Sequence, residues 1–185
     1  ASGAGTVVRG NYLHRLLPVS DEHPYWSQVS TFGSKHLAEH NGIRDGHWVC
    51  GHMEGEIRFN VVLEAHGHNL MQIGKGKVHH NIFARNSLQP DRKGSPAITG
   101  TVSPINQVYK SDGFEVYNNT FDGEGVSVGA IELAGDTFMP SLRNNVFFNF
   151  ASPRIVGPGW NEKTMVPGPP RLGYADYNLF HSPRV

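Results

Sequence analysis

Cysteine is almost missing from this chain: a single one, Cys50, occurs in 185 residues. A lone thiol closes no internal disulfide, so covalent cross-linking is excluded as the source of stability. An excess of one charge is missing too. Sixteen Lys and Arg balance sixteen Asp and Glu, which argues against a nucleic-acid or anionic-membrane partner. No apolar run approaches the roughly 20 residues that span a bilayer. No signal peptide is visible, and a leader lost on maturation would leave this same start. What remains is a chain with 22 Gly, 12 Pro and 38% hydrophobic residues, the composition expected of one soluble globular domain.

What the sequence has in abundance is one recurring phrase built around asparagine. Asn11, Asn60, Asn81, Asn119, Asn145 and Asn178 each carry an apolar residue three positions before and another two positions after. The preceding residues are Val8, Ile57, Val78, Val116, Leu142 and Ala175. The following ones are Leu13, Val62, Phe83, Phe121, Phe147 and Phe180. Self-similarity of this kind decides architecture before local propensity does. Asn tolerates left-handed backbone and bonds its neighbours' backbone, so it can turn a chain sharply between two short strands. Stacked in register, such side chains form an amide ladder, with the four Phe piled behind it. The separations are 49, 21, 38, 26 and 33 residues. The shortest is close to one coil of a solenoid, the longest fits two coils with one Asn missing, and the rest fit one coil with a loop.

The segments VHHNIFARN (78–86), EVYNNTFD (115–122) and SLRNNVFFN (141–149) resemble repeats of right-handed parallel β-helices of the pectate-lyase-like superfamily. The resemblance spans residues 7–180. It implies an all-β, single-stranded, right-handed parallel β-helix of about seven coils with loop insertions. It also implies an extracellular or periplasmic protein acting on or binding a polysaccharide, with no fixed cofactor and calcium as the cofactor it admits.

Along the chain, a five-residue polar lead precedes the first phrase, and the last phrase ends at Phe180. An uncapped parallel coil exposes unpaired backbone and an apolar end. The expectation is therefore a piece of a longer protein, or an end-to-end contact with another chain. Between residues 18 and 56 the rhythm lapses into what reads as loops and a weak second coil, carrying five His with Trp26 and Trp48. These flat aromatics are candidates to stack on sugar rings. His36-Leu37-Ala38-Glu39-His40 matches H-x-x-E-H, a zinc-peptidase signature that requires a helix. Gly33 and Gly42 leave room for barely two turns, so the expectation is a loop with two surface histidines and no metal site. Residues 88–112 and 157–170 read as loops.

Strict alternation places Met71 and Ile73 inward with Gln72 outward, and Ile131 and Leu133 inward with Glu132 outward. Thr99, beside Ile98, completes the expected column Gln72–Thr99–Glu132 along one sheet. The resemblance makes such a face the substrate groove. β-Elimination on a uronate needs a base and a cation to hold the enolate. Lys75, Lys77, His66, His68 and Lys110 qualify by type. Hydrolysis needs two carboxylates across the scissile bond, for which Glu132, Asp136, Asp112, Glu54 and Glu56 are available. The catalytic expectation is Lys75, His68 and Glu132. Gln72, Thr99, Lys77, Lys110, Trp26 and Trp48 are expected to bind substrate. His79 and His80 read as structural. Together these point to a carbohydrate-active protein, lyase before hydrolase, on an acidic polysaccharide. The competing class is a non-catalytic glycan-binding or structural coil.

Overall fold

A computed structural model describes residues 5–14, 27–30, 35–44, 48–63, 69–84, 103–107, 114–123, 130–133, 138–150, 156–158 and 171–181. Every strand pairing among them is parallel, and none of them is helical. The chain is a parallel β-helix, and the described residues make seven coils of it. Each coil contributes a strand before its Asn and a strand after it. The strands after it form a seven-stranded sheet, from Tyr12–His14 to Leu179–His181. Those before it lie in an eleven-stranded sheet. Two long strands, Trp48–Arg58 and Asn69–His79, divide that sheet by serving different partners along their lengths. Their first parts run with Ser27–Ser30 and Ser103–Gln107, and Ile131–Leu133 extends the sheet from the latter. Their last parts run with His36–Glu39 and Phe114–Tyr117. The division falls at Gly55 and Gly76, with φ of 142° and 138°.

The asparagines stack as a continuous ladder. Each Oδ1 accepts both the backbone N–H and the Nδ2–H of the rung before it, at 2.9–3.1 Å throughout. The ladder has seven rungs, because Asn41 stands between Asn11 and Asn60. The 49-residue gap is therefore two coils with no Asn missing. Ala38 and Ile43 occupy its flanking positions and are buried. The phrase around Asn41 has Ala three before the Asn, as the phrase around Asn178 does, and lies within the stretch that reads as loops.

The residue before each Asn makes the turn. Gly10, His40, Phe59, His80, Asn118, Asn144 and Tyr177 all have φ between 53° and 69°. A left-handed residue costs a non-Gly side chain roughly 1–2 kcal/mol, and the two bonds that follow at every rung offset it. Inside the coil, Ile57, Val78, Val116 and Leu142 line one wall, and Val62, Phe83, Phe121 and Phe147 the other, all buried. The Phe rings stack at 4.9, 4.9 and 5.2 Å, ending on Phe180. That spacing equals the separation of neighbouring strands, so one coil lifts each ring onto the next.

Three local expectations change. His36–Glu39 is a strand, not a loop. His36 is buried with Nδ1 accepting from the Thr6 backbone N–H, while His40 is exposed in the turn and stacks on Phe59. In a strand, residues four apart lie roughly 13 Å apart, so the two imidazoles cannot share an ion. The 88–112 insertion contains the strand Ser103–Gln107, and the 157–170 segment begins within the strand Val156–Pro158. In register, Asn106 is the Cα partner of both Gln72 and Glu132. It holds the place expected for Thr99, which lies outside the described residues. Ile98 and Ile105 carry the same apolar signal, and only the pairing chooses between them.

Candidate functional site

The strands before the Asn ladder alternate inward and outward, so the positions two and four before each Asn share the outer face. Around the buried row Ile57, Val78, Val116 and Leu142, this places Glu56 and Arg58, Lys77 and His79, Glu115 and Tyr117, and Ser141 and Arg143 side by side. Seven coils thus bring together groups separated by dozens of residues in the chain.

At the centre runs a hydrogen-bonded chain. His79 Nε2 lies 2.6 Å from Glu56 Oε1, and His79 Nδ1 lies 2.7 Å from His80 Nδ1. His80 Nε2 in turn lies 3.1 Å from Asn118 Nδ2. One set of tautomers satisfies every link. The Asn118 amide donates to His80 Nε2, His80 Nδ1–H donates to His79 Nδ1, and His79 Nε2–H donates to Glu56. His79 is buried, packed face to face with Tyr117 at 4.6 Å and edge-on to Phe59. His80 is exposed at the turn. The chain therefore links a partly shielded carboxylate to an imidazole in contact with solvent.

Charges frame this chain. Glu39 is buried and clasped by Arg58, at 2.6 Å, and by Arg9. The hydrogen bond from Arg58, with help from Arg9, holds its carboxyl below the usual range against the opposing effect of burial. Arg58 also reaches Glu56 at 3.2 Å. Burial pushes Glu56 up, but the hydrogen bond from His79 and the nearby Arg58 charge outweigh it and lower it. Burial pushes His79 down, and the bond to Glu56 only partly offsets this. A cationic His79 would help lower Glu56, yet His79 is itself held towards neutrality. A neutral imidazole donating to an ionised Glu56, with Arg58 supplying the positive charge, satisfies both. On the other side, Arg143 sits 4.8 Å over the Tyr117 ring and 3.7 Å from Glu115.

The depressed imidazole has a consequence for stability. Unfolding restores an ordinary value of 6.5, so just below that pH the unfolded chain binds more protons than the native one. Stability is expected to fall as pH drops through 6.5 and to level off below the lower native value. A second fall belongs below 4.5, where Glu39 and Glu56 of the unfolded chain take up protons that the native carboxylates, held lower, do not. Denaturant midpoints measured from pH 8 down to about 2 check this. A His79→Leu variant should lose the upper step and keep the lower one.

Of the residues singled out from sequence, Lys77 lies in this patch, exposed, with Glu56 and Glu115 as its Cα partners. Glu56, named among the available acids, is also here. Gln72, Glu132, Lys75 and Trp48 lie on described strands, but their side chains do not belong to the described set. Gln72 and Glu132 flank Asn106 in register, Lys75 pairs with Glu54, and Trp48 pairs with Ser27. His68, Thr99, Lys110 and Trp26 lie outside the described residues. His79 and His80, taken from sequence as structural, are the centre of the polar chain, and Arg58, Tyr117 and Arg143 were not anticipated. Aligning the repeats on Asn would have revealed them, since the position two before it reads Arg9, Glu39, Arg58, His79, Tyr117, Arg143 and Asp176. No group of three or more His, Cys, Asp or Glu able to hold a metal occurs among the described residues. No family model matches the chain, and neither a curated protein nor a solved structure matches it.

Proposed function

We propose that the protein is a carbohydrate-active β-helix that takes an acidic polysaccharide across the outer face around Lys77, His79 and His80, and cleaves it by β-elimination. The observation that supports this is the Glu56–His79–His80 chain ending in an exposed imidazole, with the exposed Lys77 on the outer face of the same strand. Elimination requires a base to take the proton alpha to a uronate carboxylate and a cation to hold the charge that develops. His80 Nε2 is the base once a substrate displaces the Asn118 amide. The imidazolium it becomes is stabilised through His79 by the carboxylate of Glu56. Lys77 and Arg143 are the cations of the patch that, unlike Arg58, do not clasp Glu39. The carbon–hydrogen electrons form the new double bond, the glycosidic oxygen leaves, and water supplies its proton.

The test is the ultraviolet absorbance of unsaturated uronates after incubation with a panel of acidic polysaccharides. His80→Ala is expected to lower the rate by 100-fold or more, within the range of general-base contributions. Lys77→Ala should weaken binding and also lower the rate, since the ammonium meets both the substrate carboxylate and the charge that develops on it. Full activity in both variants would remove the site from this face. The second reading, a glycan-binding module without catalysis, draws on the mutual pairing of Arg9, Glu39, Arg58 and Glu56, which leaves few charges uncommitted. Binding in affinity electrophoresis without new absorbance would select it.

A further inference from the structure

The two outermost described coils differ from those between them. Phe180 is 58% exposed, although Phe83, Phe121 and Phe147 in the same row are 0–1% exposed. At that end Asn178 Oδ1 accepts from Asn145 and its Nδ2 donates to Leu142 O. No described acceptor meets its backbone N–H, a group that the next Oδ1 receives at every earlier rung. At the opposite end, Asn11 donates to Asn41, but its own Oδ1 accepts from no described group. One end thus offers ladder donors and the other a ladder acceptor. Neither outer edge pairs with another described strand.

We propose that the end coils of two copies of this chain stack head to tail, residues 7–14 of one lying on residues 171–181 of the other. In that register Asn11 becomes the next rung on Asn178, and Leu13 covers Phe180. Arg9 meets Asp176, continuing the alternation of sign that Arg9, Glu39 and Arg58 already show within the molecule. Head-to-head or tail-to-tail contact would oppose like charges and pair acceptor with acceptor or donor with donor. The contact is heterologous, so it does not close at a dimer and builds an open stack. It stands independently of the polysaccharide reading, because it uses none of the residues assigned to catalysis.

Sedimentation velocity over a wide concentration range is expected to show a growing series of species rather than a monomer–dimer pair. Asp176→Arg and Arg9→Glu should each weaken association at least tenfold. An equimolar mixture of the two should recover it, since every junction then joins opposite charges. Phe180→Lys alters a side chain that is already exposed and should abolish stacking while leaving the circular dichroism unchanged. It keeps the test valid if Arg9→Glu, which also faces Glu39, fails to fold. A monomer at all concentrations, as when another segment of the same chain covers these ends, overturns the proposal. So does assembly that survives Phe180→Lys, or a mixture that shows no recovery.

Discussion

Gly76→Ala is expected to leave the chain unfolded, or at least about 4 kcal/mol less stable, a size reserved for severe defects. A Cβ at residue 76 would stand 1.8 Å from the Gly55 carbonyl oxygen, and one at residue 55 would stand 2.0 Å from the His36 carbonyl oxygen. These neighbours are backbone atoms of the adjoining coil, fixed by the parallel register His36, Gly55 and Gly76, so no side chain can swing aside. A φ of 138° is also a conformation that L residues rarely adopt. Steric overlap and torsional strain therefore act together at the point where the two longest strands change partners. Far-UV circular dichroism and a urea titration measure the effect. Against a typical total stability of about 5–15 kcal/mol, the variant should show no native baseline or a much reduced midpoint. A shift below about 1 kcal/mol would mean that the coils do not approach each other here. Gly10→Ala is the control. Its φ is 69° but nothing lies within 4 Å of its Cβ, so only the torsional cost of roughly 1–2 kcal/mol applies.

Asn119→Ala is the second large loss, expected to be on the order of 3–4 kcal/mol. Its side chain donates to Asn145 Oδ1, Val78 O and Tyr117 O, and its Oδ1 receives the backbone N–H and Nδ2–H of Asn81. Truncation leaves several buried groups without partners, each costing about 1–3 kcal/mol and not summing independently. It also removes the bonds that compensate the left-handed Asn118. The same change at Asn11, an exposed outer rung, should cost about 1 kcal/mol or less, because water can replace what is lost. Thermal or urea unfolding of both variants gives the comparison. Equal losses at the two positions would show that the amides act as single turns rather than as one ladder. Asn119→Asp separates donor from acceptor. It keeps an oxygen for Asn81 but loses the amide hydrogens and buries a charge, so it should be no better tolerated than Ala.

The two predictions mark different degrees of legibility in the sequence. The ladder could be read directly, because the turn needs the same side chain at each coil and an apolar residue on either side of it. Six rungs followed from that periodicity alone. The seventh, Asn41, obeys the same rule, with Ala38 three before it as Ala175 stands before Asn178 and Ile43 two after, but it lies in the stretch whose His-x-x-Glu-His pattern and loop-like composition mask the rhythm. Gly55 and Gly76 carried no such signal. They are two of 22 glycines, and only the close approach of one coil's backbone to the next distinguishes them.

The candidate site shows the limit most clearly. Glu56 and His79 are 23 residues apart and meet at 2.6 Å; His80 and Asn118 are 38 apart and meet at 3.1 Å. Composition and local alternation determined that the chain winds as parallel coils, which residues face inward, and that the rings of Phe83, Phe121, Phe147 and Phe180 form one stack. Each of those properties repeats at short range, within a single phrase. Which outward groups share a column follows from the same Asn register, but which of them bond depends on reach across the diagonal: Glu56 is level with Lys77 yet bonds His79, two residues further on in the neighbouring strand. Alternation about each Asn puts Lys77, His79 and Arg58 on outward positions, although His79 reads from the sequence as structural and nothing there singles out Arg58. Only the closed coil puts Glu56 beneath His79, Tyr117 against its ring and Arg143 over that tyrosine, because hydrogen bonding between successive coils turns separation along the chain into adjacency across the sheet.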